Sequence, residues 1–239
     1  ATTNGTGTAT QLNNKLYMSG ESTGTITFSG TPVQSASTDI TVSRIASRVK
    51  INWTFAPNST YTNKIRLTGA VILNARSASK LFGSPLYQAS GMYIQGITQP
   101  IFDGLTATAY KPTANNIFNP TLLSVSPFAV PQVLENYFYI FENAATYPTI
   151  VAITADYNEN GLDVGTNQKK YYPIVINRAT TGNQTGLMTI VRNVQYVVSA
   201  TVKGVGVDNP YEPVDPAVLN VKVTVAPWAL TINANQTFE

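Results

Sequence analysis

Short β-type runs, the clearest with apolar residues at every second position, recur along this chain, and almost no segment sustains the spacing of a helix. Such alternation marks strands with one buried face. The strongest runs predict strands at Val49 to Phe55, Ile65 to Leu73, Tyr137 to Phe141, Thr149 to Ala155, Tyr171 to Asn177, Val194 to Lys203 and Leu219 to Val225. Shorter β-type runs, Thr25 to Ser29 and Ile40 to Ser43, lie on either side of Gly30-Thr31-Pro32. Turn residues separate the runs, as at Ala56-Pro57-Asn58, Asn158-Glu159-Asn160-Gly161 and Asp208-Asn209-Pro210. Many short strands with irregular connections predict an all-β chain folded as an antiparallel Greek-key sandwich. The interval from Phe82 to Leu134 is weakly patterned and rich in Pro, Gly and Asn, which predicts extended loops with a short helix or hairpin.

The C-terminal stretch breaks the pattern in a specific way. Leu219, Val221, Val223 and Val225 hold one phase of the alternation, and after Pro227 the apolar residues Trp228, Leu230 and Ile232 hold the opposite phase. A phase reversal sends side chains to the other surface unless the strand bends or changes sheet, which makes Pro227 a candidate hinge. A terminal strand of this kind either completes its own sheet or is offered to another molecule.

Residues 1–14 are rich in Thr, Gly, Ala and Asn and read as a lead-in. Near Asp39 to Arg44 short Thr/Ser-rich strands give way to longer apolar ones. A domain boundary is expected there, with residues 1–42 as an N-terminal segment and 43–239 as the main sandwich domain. About forty residues are too few for an independent core, so the first segment is expected to be an incomplete or reduced N-terminal domain. The sequence from Ala1 to Gly5 is no signal peptide, and a mature or trimmed chain is expected.

Composition narrows the chemistry. Of the 239 residues, 43% are apolar and only 11% charged, against roughly 25% charged in ordinary globular domains, so Thr, Ser, Asn and Gln supply the polarity. The absence of Cys removes disulfides, thiol nucleophiles and thiolate metal sites, and the absence of His removes the usual general base and every Ser/His/Asp triad. No pair of carboxylates stands out for glycosidase chemistry, and Glu142 sits in a strand motif where a structural hydrogen bond is the simpler role. No enzyme, no catalytic residue and no cofactor is expected.

Arg44, Arg48, Lys50, Lys64, Arg66, Arg76 and Lys80 fall in a stretch with no acid between Asp39 and Asp103, and read as one basic face. With a net charge of +3 this is too sparse for nucleic acid, and no such partner is expected. Asp156 to Gly161 imitates the opening of a calcium loop, but Asn167 stands where the bidentate Glu is required and a hairpin turn is expected instead of a metal site. Tyr87, Tyr93 and Tyr110 lie in the loop-rich interval, where aromatic platforms would suit an extracellular glycan- or protein-binding adhesin module, the alternative function.

A series of short motifs runs in the same order as in the fimbrillins, the subunits of the type V pili of Bacteroidales. The chain resembles that family at Leu16-Tyr17-Met18-Ser19-Gly20, Arg44-Ile45-Ala46-Ser47-Arg48, Leu81-Phe82-Gly83 and Phe138-Tyr139-Ile140-Phe141-Glu142-Asn143. The resemblance continues through Tyr171 to Asn177, Val191-Arg192-Asn193 with Tyr196, Gly204-Val205-Gly206 with Asn209-Pro210, and Val223 to Trp228. It implies transthyretin-like β-sandwiches in a pilin exported through the outer membrane as a lipoprotein precursor and matured by cleavage after an arginine. It implies a surface fimbria, polymerised when the C-terminal strand of one subunit fills a groove in the next and supporting adhesion to a host surface protein or glycan. The partners would be other pilin subunits, identical or different. For the donor strand the sequence offers Trp228, Leu230 and Ile232, with Phe238 as a distal anchor. Burying three such side chains contributes on the order of 5–8 kcal/mol before ordering costs.

Overall fold

The computed structural model describes residues 17–21, 36–56, 60–82, 92–117, 137–144, 146–178, 188–215, 218–228 and 232–238. Four strands make the first sheet of a sandwich, in the order β11 (Leu219–Pro227), β10 (Val194–Val202), β3 (Ala46–Phe55) and β7 (Tyr137–Phe141). Three make the second, in the order β4 (Ile65–Leu73), β8 (Ile150–Tyr157) and β9 (Gln168–Val175). A third sheet carries the two ends of the described chain, in the order β1 (Met18–Ser19), β2 (Ala36–Arg44) and β12 (Ile232–Phe238). The short pair β5 (Ala75–Arg76) and β6 (Tyr93–Ile94) completes the strands. Strands β4 and β7 have the bounds the sequence predicts. One feature differs from the antiparallel expectation: β10 runs parallel to β3, from Gln195 opposite Arg48 to Val202 opposite Phe55. Alternation reports which face of a strand is buried and carries no information about the direction of its neighbour.

The core lies between the two larger sheets. Val49 and Ile51 of β3, Phe138 and Ile140 of β7, and Tyr196, Val198 and Val202 of β10 face Ile65, Leu67, Ala70 and Ile72 of β4 and Val151 and Ile153 of β8. In β4 the inward positions pass from odd to even numbers because a bulge shifts the register between Leu67 and Gly69. The second sheet is buried on its other face as well. Val71, Leu73, Ile150, Ala152 and Val175 pack there against Ile97, Phe102 and Tyr211 from the loop-rich segments. Phe102 belongs to the single α-helix among the described residues, α1 (Gln99–Gly104), with Pro100 in its first turn, where a missing N–H costs nothing. Burial of both faces of this sheet accounts for the unbroken apolar run from Ile150 to Ile153 in β8.

The loops over this face are pinned by amides. The Tyr211 hydroxyl donates to Gln95 Oε1 at 2.8 Å, Gln95 Nε2 donates to Asn74 Oδ1 at 2.9 Å, and Asn74 Nδ2 donates to the Pro148 carbonyl at 3.0 Å. At Gly206 a Cβ would come within 2.4 Å of the Tyr171 carbonyl oxygen, so glycine alone lets Val207 pair with Tyr171 beside β9.

The ten-residue connection between β8 and β9 forms the predicted hairpin. Its polar side chains turn to their neighbours: Asp156 pairs with Arg66 at 3.2 Å and Lys169 at 3.1 Å, and Asn158 Nδ2 donates to the Val164 carbonyl at 2.8 Å. The Arg66 hydrogen bond, followed by that of Asn167, holds the exposed Asp163 carboxyl below its usual range. The basic residues of the 44–80 stretch do not form one face. Arg66 lies on the outside of β4, whereas Arg76 is buried with its guanidinium 4.2 Å from the Tyr93 ring.

Burial raises the hydroxyl pKa of Tyr172 to about 12 and moves Tyr211 and Tyr196 in the same direction. These groups stay protonated in the fold at a pH where the unfolded chain, with tyrosine near 10, releases protons. Their contribution to stability is therefore full below pH ~10 and is lost as pH rises above it. Tyrosinate absorbance and circular dichroism should change together in an alkaline titration. Ionisation of all 13 tyrosines near pH ~10 with the fold intact would contradict this.

Candidate assembly site

The residues singled out at the C-terminus converge on one end of the four-stranded sheet. On its outward face Tyr139, Arg48 and Gln195 stand side by side across β7, β3 and β10. Arg48 Nε donates to Gln195 Oε1 at 2.7 Å. Trp228, just past β11, folds over this row. Its indole stacks on Tyr139 with 5.6 Å between centroids and 27° between planes. The guanidinium carbons of Arg44 and Arg48 lie 4.6 and 5.1 Å from the indole centroid, a double cation–π contact. Trp228 keeps only 9% of its surface exposed, and Tyr139 beneath it keeps 2%.

Backbone bonds fix the same corner. Trp228 N–H donates to the Asn193 carbonyl at 3.0 Å, and Arg44 Nη1 donates to the Trp228 carbonyl at 3.1 Å. Asn193 adopts a positive φ of 57°, which suits the turn that starts β10. The pairing of Asn193 with Trp228 and of Lys203 with Val218 sets the ladder parity, so the odd residues of β11 aim their peptide groups at the free edge. Pro227 falls on that edge, where its missing N–H costs no ladder bond. Beyond it the chain leaves the first sheet, and β12 pairs with β2 in the third.

Pro227 thus stands where the chain changes sheet, and Trp228 is seated on its own sandwich. Ile232 and Phe238 are the two ends of β12, while Leu230 lies outside the described residues. Ile232 pairs with Val42 and Phe238 with Ala36, a ladder of seven consecutive residues.

A second cluster, unread in the sequence, docks the N-terminal segment at the same end. Arg192 and Glu142 form an ion pair at 3.0 Å with side chains 8% and 11% exposed. Arg192 Nη1 donates to Ser19 Oγ at 3.0 Å, and Nη2 donates to the Lys80 carbonyl at 2.8 Å. Ser47 Oγ bonds the Val191 carbonyl and the Tyr196 hydroxyl accepts from Val191 N–H at 2.9 Å, which holds the Arg192 turn in place. On the N-terminal side Ile45 N–H donates to the Tyr17 carbonyl at 3.1 Å. Gly20 passes so close to β2 that a Cβ would lie 2.4 Å from the Thr41 carbonyl oxygen. Ser19, Glu142 and Arg192 are far apart in sequence and carry no shared spacing, so only proximity in the fold reveals them. The tyrosines offered as platforms differ from one another: Tyr93 is buried against Tyr147, Tyr110 is half-buried at the edge of a cavity, and Tyr87 lies outside the described residues.

The FimA4 pilin C-terminal domain family matches residues 43–228. A major fimbrium subunit FimA of type 5 from Porphyromonas gingivalis is 30% identical over 201 residues, which are 73% of this chain and 48% of that protein. A type 2 subunit from the same organism is 28% identical, over 82% of this chain and 53% of its own. The chain thus spans about half the length of these curated relatives. A candidate cell adhesion protein from Bacteroides eggerthii superposes with a TM-score of 0.67 at 25% identity, over 89% of this chain and 63% of its own. A Porphyromonas gingivalis fimbrillin shares the fold with a TM-score of 0.60 at 23% identity, over 79% of this chain and 59% of its own.

Two substitutions probe the corner. Trp228→Ala removes a stacked, buried ring and should cost about 3 kcal/mol in denaturant unfolding. Arg192→Met leaves Glu142 buried without its partner and should cost about 3–5 kcal/mol, with faster protease cleavage near residues 17–21. Unfolding midpoints within error of the parent would show that these contacts are dispensable.

Proposed function

The chain belongs to the fimbrillin family through its FimA4-type C-terminal domain, and on that premise we propose that it is a structural subunit of a bacterial surface fimbria, joined to its neighbours by donation of β12. The observation that carries this proposal is how β12 is held. Among the described strands its ladder partner is β2 alone, whereas β10 and β8 each have a neighbour on both sides. Over residues 36–42 the strands β2 and β12 form a two-stranded ribbon, which is marginal in water, and release of β12 breaks no ladder of the two larger sheets. A donated strand supplies main-chain bonds along an edge and alternate side chains for register. Head-to-tail joints of this kind do not close, and they build filaments.

In such a subunit Trp228 stays behind as the anchor and Pro227 marks the hinge, with Ile232 and Phe238 at the ends of the donated segment. The division at residues 42 and 43 belongs to the same proposal and is supported by the family match from residue 43. So do a cell-surface place and a part in adhesion, supported by the likeness to a candidate adhesion protein, and export of the precursor as a lipoprotein through the outer membrane. The partners are further pilin subunits. Of the tyrosines offered as a platform for the glycan-binding alternative, Tyr93 is buried and Tyr110 half-buried, which supports strand donation over that reading.

A chain ending at Thr231 tests the proposal. It should keep the near-ultraviolet dichroism and cooperative unfolding of the full chain and form no polymers in electron micrographs or size-exclusion profiles. Polymers indistinguishable from those of the full chain would sink strand donation.

A further inference from the structure

We propose that the cleft between β9 and β11 is a binding site for a small aromatic carboxylate, with Arg178 as the residue that receives the acid group. The site does not depend on strand donation. β9 and β11 are end strands of the two larger sheets, and a cavity of about 460 Å³ is lined by residues of both and of the connection from β10 to β11. That volume lies within the roughly 300–1,000 Å³ of sites that hold small organic molecules. At about 30 Å³ per water it has room for about 15, which suits a ligand of two linked or fused rings.

Three features select the ligand. The first is a gradient of burial along the lining: Ile150, Ile174 and Tyr211 have at most 2% of their surface exposed, whereas Arg178 and Glu212 are half-buried and Asn220 is exposed. A ligand that matches this gradient has an apolar end that enters and a polar end that stays at the mouth. The second is shape. Tyr110, Pro173, Tyr211 and Pro213 all carry rings, and ring faces favour a flat apolar body. The third is charge. Arg178, just past β9, is the one cation among the described lining residues. The one carboxylate, Glu212, is engaged in its own turn: its Oε1 accepts from Asn209 Nδ2 at 3.2 Å, and its N–H donates to the Asn209 carbonyl at 3.1 Å. A guanidinium holds a carboxylate through two parallel hydrogen bonds, which gives the acid group a fixed orientation.

The walls of the cleft are fixed by the fold itself. Tyr211 is held from both ends, its hydroxyl donating to Gln95 Oε1 at 2.8 Å and its N–H to Asn209 Oδ1 at 3.1 Å. The connection is closed at its neck, where the Lys203 N–H donates to the Val218 carbonyl at 2.8 Å. Gly204 packs so closely there that a Cβ would lie 2.8 Å from Val218 Cγ1. A site held this way gives up little freedom when a ligand enters. The cleft also lies away from the Arg44–Trp228 corner. Val221 precedes Trp228 by seven residues, roughly 24 Å along an extended strand, so ligand and corner do not compete for space.

Biphenyl-4-acetate, its neutral amide and the cation biphenyl-4-methylamine test the site when titrated into the full chain by isothermal calorimetry. The acid should saturate with a dissociation constant below about 1 mM, and the amide and amine should bind about tenfold more weakly or worse. Arg178→Gln should weaken the acid about tenfold and leave the amide unchanged. Val221→Trp puts a ring into the cleft and should abolish binding of all three with the circular dichroism unchanged. Val214→Trp, on the connection, serves the same purpose if the strand variant does not fold. No saturable binding of the acid up to ~5 mM, or binding that survives in a folded variant with the cleft filled, would overturn the site. Binding in which the amide or amine equals the acid, or which Arg178→Gln leaves untouched, would overturn the carboxylate as ligand and Arg178 as its receptor.

Discussion

The parallel pairing of β3 with β10 decides where both ends of the chain go. Because β10 starts at the same end of the sheet as β3, and β11 runs back antiparallel to β10, the residue before β3 and the residue after β11 emerge at one end. Only one strand, β10, separates them, a gap of about 10 Å. Arg44 and Trp228 span that gap, with Asn193 at the head of β10 between them, accepting from Arg44 at 3.4 Å and from the Trp228 N–H. Had β3 run antiparallel to β10, β2 and β12 would leave from opposite ends and could not meet. The pairing of β12 with β2 within one chain follows from this one choice of direction.

Much of the sandwich is legible in the sequence because apolar and β-branched residues gather in its strands and turn residues part them. The bounds of β4 and β7 match their runs of strand-forming residues, and the chain passes to another sheet after Pro227. What the alternation cannot carry is the identity of the partner strand. Ser19, Glu142 and Arg192 became a cluster only through folding, and Arg76, counted in the sequence with an open basic face, lies under Tyr93. The exposed Val225, in phase with the buried Val223, shows the opposite failure: near the end of an edge strand the period persists after the covering layer has ended.

The uncharged polarity of the chain also acquires a second meaning. Composition places Thr, Ser, Asn and Gln on the surface in place of charges, yet Asn74, Gln95 and Asn143 are buried and carry the loops. Asn143 alone donates from Nδ2 to the Tyr147 carbonyl at 2.8 Å and to Thr149 Oγ1 at 3.0 Å, and accepts from Arg76 Nε at 3.1 Å. An amide has donors and acceptors on one planar group, so it can close several backbone gaps at once without the desolvation cost of a charge. The second sheet thereby gains a dry cover made of loops, and its strand β8 can be apolar on both faces.

The shared exit of β2 and β12 has a mechanical meaning. A pull on β12 passes to β2, its ladder partner, and both strands are rooted at the Trp228–Arg44 corner. The load path crosses Asn193 and the first residues of β3, β10 and β11, then turns back out. The sheet of β4, β8 and β9, with its loop cover, lies off that path, so resistance to such a pull rests on a few stacked side chains and ladder bonds at one corner, whatever the stability of the sandwich behind them.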